Sequence, residues 1–136
     1  MAGKLDGARE LLARANRMIA NEGVLDAFGH VTMRHPDDPQ RYLMSRSRAP
    51  ELVQPEDVLE FTLDSQPVNP SDVRLYGERV IHGGIYQARP DVNAVCHHHV
   101  RAVCTRPVKI CREAAGLGQR NGRAQASARR NAEAPG

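Results

Sequence analysis

The feature that most constrains this chain is a change of pattern late in the sequence. Residues 1–100 hold 11 basic and 14 acidic side chains, a net charge of −3, and their apolar residues recur at regular spacing. Residues 101–136 hold 8 basic and 2 acidic side chains, a net charge of +6, and between 112 and 136 the one large apolar residue is Leu117. A stretch built mainly from Ala, Gly, Arg, Asn and Gln buries too little apolar surface to offset the entropy of ordering it. The expectation is one domain in residues 1–105 and a disordered basic tail in 106–136. The overall charge of +3 belongs to that tail. It carries no aromatic residue to stack on bases, so specific nucleic-acid binding is not expected.

Within the first hundred residues the period switches from helix to strand. Leu5, Ala8, Leu12, Ala15 and Ile19 recur at helical spacing, widened by Leu11 and Met18, and Gly23 is placed to stop the helix. This predicts an amphipathic helix over 4–22. Residues 28–34 alternate: Gly29, Val31 and Met33 face one way, His30, Thr32 and Arg34 the other. After the turn cluster 35–39 a second strand over 42–45 completes a hairpin. Residues 50–57 read as a loop with one helical turn, opened by Pro55. A third strand is expected over 58–63, a helix over 75–88 and a strand over 92–100. The helix would place Glu78, Ile81, His82 and Ile85 on one core-facing stripe.

No apolar run approaches the roughly 18 residues that a membrane span requires. The N-terminal residues lack the apolar stretch of a secretory signal, so a cytoplasmic location is expected. Cys96, Cys104 and Cys111 show no C-x-x-C spacing and read as free thiols.

Three groups of residues can carry chemistry. His97 and His99 share one face of a strand, with His98 on the other, and two imidazoles at i and i+2 form half a site for a divalent metal. A solvated polar strand end has the same pattern. Glu78, on a core-facing stripe, needs a partner, because an unpaired buried carboxylate is costly. A metal supplies one; so would a stripe-edge position or an i,i+4 pair with His82. Gly29 within a strand permits a ligand to approach the backbone closely or marks a bulge. The run 45–48, with Ser47 and Arg48, offers hydroxyls and guanidinium groups suited to a carboxylate or phosphate.

Taken together, these residues resemble the class II aldolase/adducin family over about residues 5–105. Glu78 is followed by Tyr86, Arg89-Pro90-Asp91, Asn93-Ala94-Val95 and the His97-x-His99 pair. Asn16, the strand 29–34 and residues 45–50 support the match. The resemblance implies an α/β/α sandwich around a mainly antiparallel sheet, commonly assembled as a homotetramer. It implies a divalent ion, zinc first, with manganese or iron as alternatives, held by His97 and His99. It gives Glu78 the part of acid/base beside the metal, and of ligand when no substrate is bound. Gly29 and Ser47 match positions that approach the anionic group of a small-molecule carboxylate or carbonyl substrate.

Departures from the aldolase pattern narrow the implied chemistry. Tyr76 and Gly77 stand where sugar-phosphate aldolases have hydroxyl residues that bind phosphate. His30 replaces an Asn, and Arg48 stands where a Gly is common. These changes resemble the branch that decarboxylates hydroxylated aromatic or oxo carboxylic acids, with His30 and Arg48 joining the substrate site. Aldol cleavage and a non-catalytic adducin-like role are the alternatives. The family uses a further histidine ligand downstream, and no histidine follows His99. A shifted reading frame after about codon 99 would explain both that loss and the composition change. On this sequence alone the expectation is a chain that folds poorly or is inactive.

Overall fold

The computed structural model describes residues 3–99. The expected tail, Cys104 and Cys111 lie outside the described residues, and Cys96 is a free thiol. Helix α1 (Lys4–Asn21) is the amphipathic helix expected, with Ala8, Leu12, Ala13 and Asn16 buried on one side. The Asp6 carboxylate accepts the Gly3 amide at 3.1 Å, satisfying a donor at the helix start. Gly23 ends the helix with φ 71°, and its amide bonds the Ala20 carbonyl at 3.0 Å.

Four strands follow: β1 (His30–Arg34), β2 (Arg41–Ser45), β3 (Val58–Thr62) and β4 (Ala94–His97). They form one sheet in the order β3-β2-β1-β4, every pair antiparallel. β1 is therefore an inner strand, pairing Met33 with Leu43 on one side, and His30 with His97 and Thr32 with Val95 on the other. Two short 3-10 turns, Pro50–Leu52 and Pro55–Asp57, lead from β2 into β3.

Strand alternation sorts the side chains into two layers. Val31, Leu43 and Val58 join Val53 and Leu25 against Ala8, Leu12 and Ala13 of α1. Tyr42, Met44 and Phe61 face the other way and pack on Tyr86 of helix α2 (Arg79–Ala88). The sheet thus lies between the two helices, the α/β layering with an antiparallel sheet that the resemblance implies. Among the described residues no helix is long and apolar enough to cross a membrane.

Polar side chains fix both helices to β1. Asn16 is fully buried. Its amide nitrogen donates to the Leu12 and Val31 carbonyls at 2.9 and 3.3 Å, and its oxygen accepts the Val31 amide at 3.0 Å. On the opposite face the Arg34 guanidinium donates to four carbonyls: Val92 at 3.0 Å, Pro39 at 2.6 Å, Tyr86 at 3.0 Å and Arg89 at 3.0 Å. Its carbon also lies 4.8 Å from the centre of the Tyr86 ring. One side chain thereby joins β1, the end of α2 and the entry to β4.

Helix α2 departs from expectation in its start and its rotation. It begins at Arg79 rather than near 75, with Glu78 as its N-cap residue. Residues 74–76 are instead tied to the loop after β2: the Ser47 amide bonds the Arg74 carbonyl at 2.8 Å, and the Tyr76 hydroxyl donates to the Arg48 carbonyl. The buried residues of α2 are His82, Gly83 and Tyr86, and Ile81 is 43% exposed. Thr32 and Arg34 supply the polar partners that draw this face inward.

The packing of α2 is tight at one glycine and open at the next. A Cβ on Gly83 would collide with the Ser65 hydroxyl and the Leu63 carbonyl, whereas one on Gly84 meets nothing within 4 Å. Gly84→Ala should stabilise the domain by about 1 kcal/mol through helix propensity, and Gly83→Ala should destabilise it by about 1–3 kcal/mol through overpacking. Urea unfolding measures both. Midpoints moving in the same direction would contradict the seating of α2 on residues 63–65.

Candidate metal and substrate site

The sheet order brings the start of α2 and the end of β4 to one place. Glu78 caps α2, and His97 closes β4 beside β1. The His97 Nε2 atom lies 3.3 Å from Glu78 Oε2 and 3.0 Å from His99 Nε2, and His99 Nε2 lies 4.0 Å from Glu78 Oε1. Glu78, His97 and His99 can each point one donor atom into a space where all three are within 4.8 Å of one another. Zinc bonded tetrahedrally to nitrogen and oxygen at 2.0–2.2 Å sets its ligands about 3.3 Å apart. The donor set and its spacing therefore fit a divalent ion with three protein ligands and an open position.

A carboxylate supports one ligand from outside. Asp26 oxygens lie 3.3 and 3.4 Å from His99 Nδ1. A proton on Nδ1 leaves the Nε2 lone pair aimed at Glu78 and His97, the usual orienting contact of a metal-bound histidine. Asp26 also accepts the Phe28 and Gly29 amides at 3.0 and 2.8 Å. Partial burial pushes its carboxyl up, but those amides and His99 outweigh it and hold the group below the usual range.

Beneath Glu78 lies a chain of buried polar groups. His30 and His82 are both fully buried. His30 Nε2 is 3.3 Å from Glu78 Oε2, and His30 Nδ1 is 2.9 Å from His82 Nε2. His82 Nδ1 is 2.8 Å from Thr32 Oγ1, which is 2.9 Å from the Tyr86 hydroxyl. The His30 ring stacks on His97 at a centroid distance of 5.1 Å. Burial, then the neighbouring His30 and His97, lowers His82 to about 3. Burial and His97 also lower His30, against the opposing pull of Glu78. Both rings are neutral at neutral pH.

An open cleft of about 430 Å³ adjoins the three donors, lined by Phe28, Ser47, Arg48, Arg74, Glu78 and His99 among others. Asp57 anchors its basic wall, accepting Arg46 Nε at 2.6 Å and Arg48 Nη1 at 3.1–3.2 Å. Burial raises the Asp57 carboxyl, but Arg46, the Gln54 amide and Arg48 more than offset this and keep it ionised. Two guanidinium groups against one carboxylate leave a net positive charge there, and Arg74 adds another.

The structure brings Glu78, His97 and His99 together, with Ser47 and Arg48 on the adjoining wall. His30, expected among the substrate contacts, lies behind Glu78 and does not line the cleft. Gly29 is buried, and a Cβ there would lie 2.9 Å from Leu25 Cδ2 and 3.1 Å from the His97 carbonyl oxygen. The close approach it permits is made by the chain itself. Asp26, Thr32, His82 and Arg74 were not singled out as site residues. His82 lies on the Glu78 stripe, but a histidine four residues after a glutamate reads first as its helical partner. Asp26 is a loop residue 73 positions from His99, and no local pattern links them.

The family model described as Class II Aldolase and Adducin N-terminal domain matches residues 10–117. This chain belongs to that family. It is 44% identical over 82 residues to decarboxylase tropJ of Talaromyces stipitatus, a match covering 59% of this chain and 31% of that protein. It is 30% identical over 124 residues to 3,4-dihydroxyphthalate decarboxylase of Arthrobacter keyseri, covering 84% of this chain and 46% of that protein. Among solved structures, an aldolase II superfamily protein from Pseudomonas syringae aligns with a TM-score of 0.66 at 26% identity, over 74% of this chain and 42% of that one. L-fuculose 1-phosphate aldolase from Glaciozyma antarctica aligns with a TM-score of 0.62 at 26% identity, over 73% and 44%. The chain thus spans less than half the length of each of these relatives.

The buried imidazoles make stability depend on pH. In the unfolded chain His82 takes up a proton below about 6.5, and in the folded chain only below about 3. Between those values the unfolded state binds more protons, so this contribution is complete above pH 6.5 and lost as the pH falls. For the metal-free chain, this imidazole should lower stability by about 1.4 kcal/mol per pH unit across that window. Urea midpoints measured from pH 7 to 4.5 should therefore fall, and less steeply in His82→Gln. Equal slopes in the two proteins would rule out the neutral buried His82.

Proposed function

We propose that this chain carries the metal and acid/base half of a metal-dependent carbon–carbon lyase that decarboxylates a hydroxylated aromatic or oxo carboxylic acid. The observation that carries this reading is the convergence of Glu78, His97 and His99 at the mouth of a cleft with a basic wall. His97 and His99 would hold the ion, zinc first among divalent candidates, with Glu78 as a further ligand only while no substrate is bound. When bound, the ion supplies Lewis acidity to a carbonyl or hydroxyl oxygen next to the bond that breaks.

The chain's own residues divide the remaining work. Arg48, its Nη1 fixed on Asp57, and Arg74 offer positive charge to a substrate carboxylate. Ser47 stands beside them as a neutral hydrogen-bonding group. Phe28, 69% exposed at the cleft rim, offers an apolar surface suited to an aromatic ring. Glu78, in its protonated form, gives its proton to the carbon that loses carbon dioxide. The carboxylate leaves as carbon dioxide, the bonding pair stays on that carbon, and the proton completes the new C–H bond.

Aldol cleavage of a sugar phosphate is the second reading, favoured by the fold shared with L-fuculose 1-phosphate aldolase. Decarboxylation is preferred because both curated relatives are named as decarboxylases. The residues before Glu78 agree: Gly77 carries no hydroxyl, and that of Tyr76 is committed to the Arg48 carbonyl.

The full chain should bind cobalt(II), a spectroscopic stand-in for zinc, with visible ligand-field absorption. His97→Ala should abolish that absorption. With zinc(II), manganese(II) or iron(II) and 3,4-dihydroxyphthalate as probe, released carbon dioxide measures turnover. Glu78→Gln should lower it by about 10²–10⁴-fold. Undiminished turnover in either variant refutes the assigned roles, and cleavage of L-fuculose 1-phosphate without carbon dioxide release would establish the aldolase reading instead.

A further inference from the structure

Glu78 stands at the N-cap of α2, yet its side chain makes no capping hydrogen bond, and the first turn of the helix holds no acidic residue. The carboxylate that would ordinarily serve the first amides of a helix reaches the other way, to His30 Nε2 and His97 Nε2, each 3.3 Å from Oε2. A helix start without a cap frays unless another contact holds it. Here Arg79 and the turn after β3 supply that contact. The Arg79 carbonyl can only accept, and the hydroxyls of Ser65 and Tyr42 each lie 3.0 Å from it. The Arg79 guanidinium can only donate, and it gives Nε–H to the Ser65 carbonyl at 3.0 Å and Nη1–H to the Tyr76 carbonyl at 2.9 Å. These contacts therefore have a fixed direction. Residue 79 is held by its backbone and its side chain, residue 76 is tied to the same guanidinium, and Glu78 lies between the two.

Ser65 takes up this position in a left-handed conformation, φ 62°, and is the only non-glycine residue with positive φ among the described residues. Glycine adopts that conformation without the clash of a Cβ. What serine adds is a hydroxyl, buried and facing the Arg79 carbonyl. A strained residue where glycine would be easier points to a task for its side chain. The seating is close, since a Cβ on Gly83 would collide with the same hydroxyl. We propose that Ser65 and Arg79 are positioning residues: their reciprocal clasp stands in for the missing N-cap and sets the first turn of α2, which places the Glu78 carboxylate beside His97. The inference rests on the reading of Glu78 as a metal-site residue. It goes beyond that reading by giving a task to two residues that do not line the cleft.

The test is a double-mutant cycle on the full chain. Ser65→Gly removes the hydroxyl and the strain together, and Ser65→Ala removes the hydroxyl alone. Arg79→Lys keeps the charge but cannot fork to two carbonyls. Zinc(II) affinity without substrate, measured against a chromophoric chelator, should fall by roughly tenfold in all three. The two Ser65 variants should lose affinity by the same factor, although the glycine variant melts at the higher temperature. In a Glu78→Ala background none of the three substitutions should lower the affinity further, because each acts through Glu78.

Unchanged affinity in Ser65→Gly or Arg79→Lys overturns the proposal. So does an equal loss with and without Glu78, or a loss that follows melting temperature, the result a merely structural role predicts. Failure of the metal reading looks different: the wild type would bind no zinc(II), or Glu78→Ala would bind it as tightly as the wild type. The metal-free protein then decides the clasp by itself. Nuclear Overhauser contacts between the Glu78 methylene protons and the His97 ring should be present in the wild type and weakened in Ser65→Gly, and equal intensities in the two refute the proposal.

Discussion

Everything at the candidate site depends on where Arg34 sends its guanidinium. It donates to four backbone carbonyls contributed by the turn after β1, the end of α2 and the segment leading into β4. No carboxylate is among these partners. A buried cation is costly unless its donors are all engaged, and here carbonyl dipoles, two of them at the C-terminal end of α2, engage them. With the far ends of α2 and β4 fixed by one side chain, Glu78 at the start of α2 and His97 at the end of β4 are held at a defined separation. Glu78 and His97 thus come from elements whose meeting is arranged at the other end of the same sheet face.

Charge is distributed with comparable economy around the cleft. Asp57 is buried and shared by Arg46 and Arg48, which leaves the basic wall oriented but not neutralised. Asp26 plays the parallel part for His99. Each carboxylate orients a neighbouring basic side chain. The acidic balance of the first hundred residues therefore coexists with a cleft suited to an anion.

Much of this was legible in the sequence, and what was not has physical reasons. Helix α1 and the four strands follow from periodicity, because Val31, Met33 and Leu43 must face α1 while Tyr42 and Phe61 must not. His97 and His99 were paired by strand alternation although β4 ends at His97, and Glu78 was marked out as a buried carboxylate, whereas its side chain is 43% exposed at the N-cap of α2. The start of α2 was misread because Leu75 and Tyr76 continue the helical spacing, whereas contacts of Arg74 and Tyr76 with the loop at 47–48 keep this segment out of the helix. Its rotation was misread because Ile81 and Ile85 outrank His82 in hydrophobicity, and only the tertiary partners Thr32 and Arg34 reverse that order. His30 was assigned to substrate through the family resemblance, where it stands in place of an Asn; in the structure it is fully buried and meets Glu78.

The two faces of β1 are chemically opposite, with Val31 and Met33 toward α1 and His30, Thr32 and Arg34 toward α2. A slip of one residue against β2 or β4 would exchange the faces. Two apolar side chains would then meet the histidine layer, while an imidazole, a hydroxyl and a guanidinium entered the packing of α1 without partners. The polar row is thus a proofreading device for strand assembly. A mispaired sheet incurs the desolvation of three polar groups at once, so correct threading of the central strand and construction of the site are a single event.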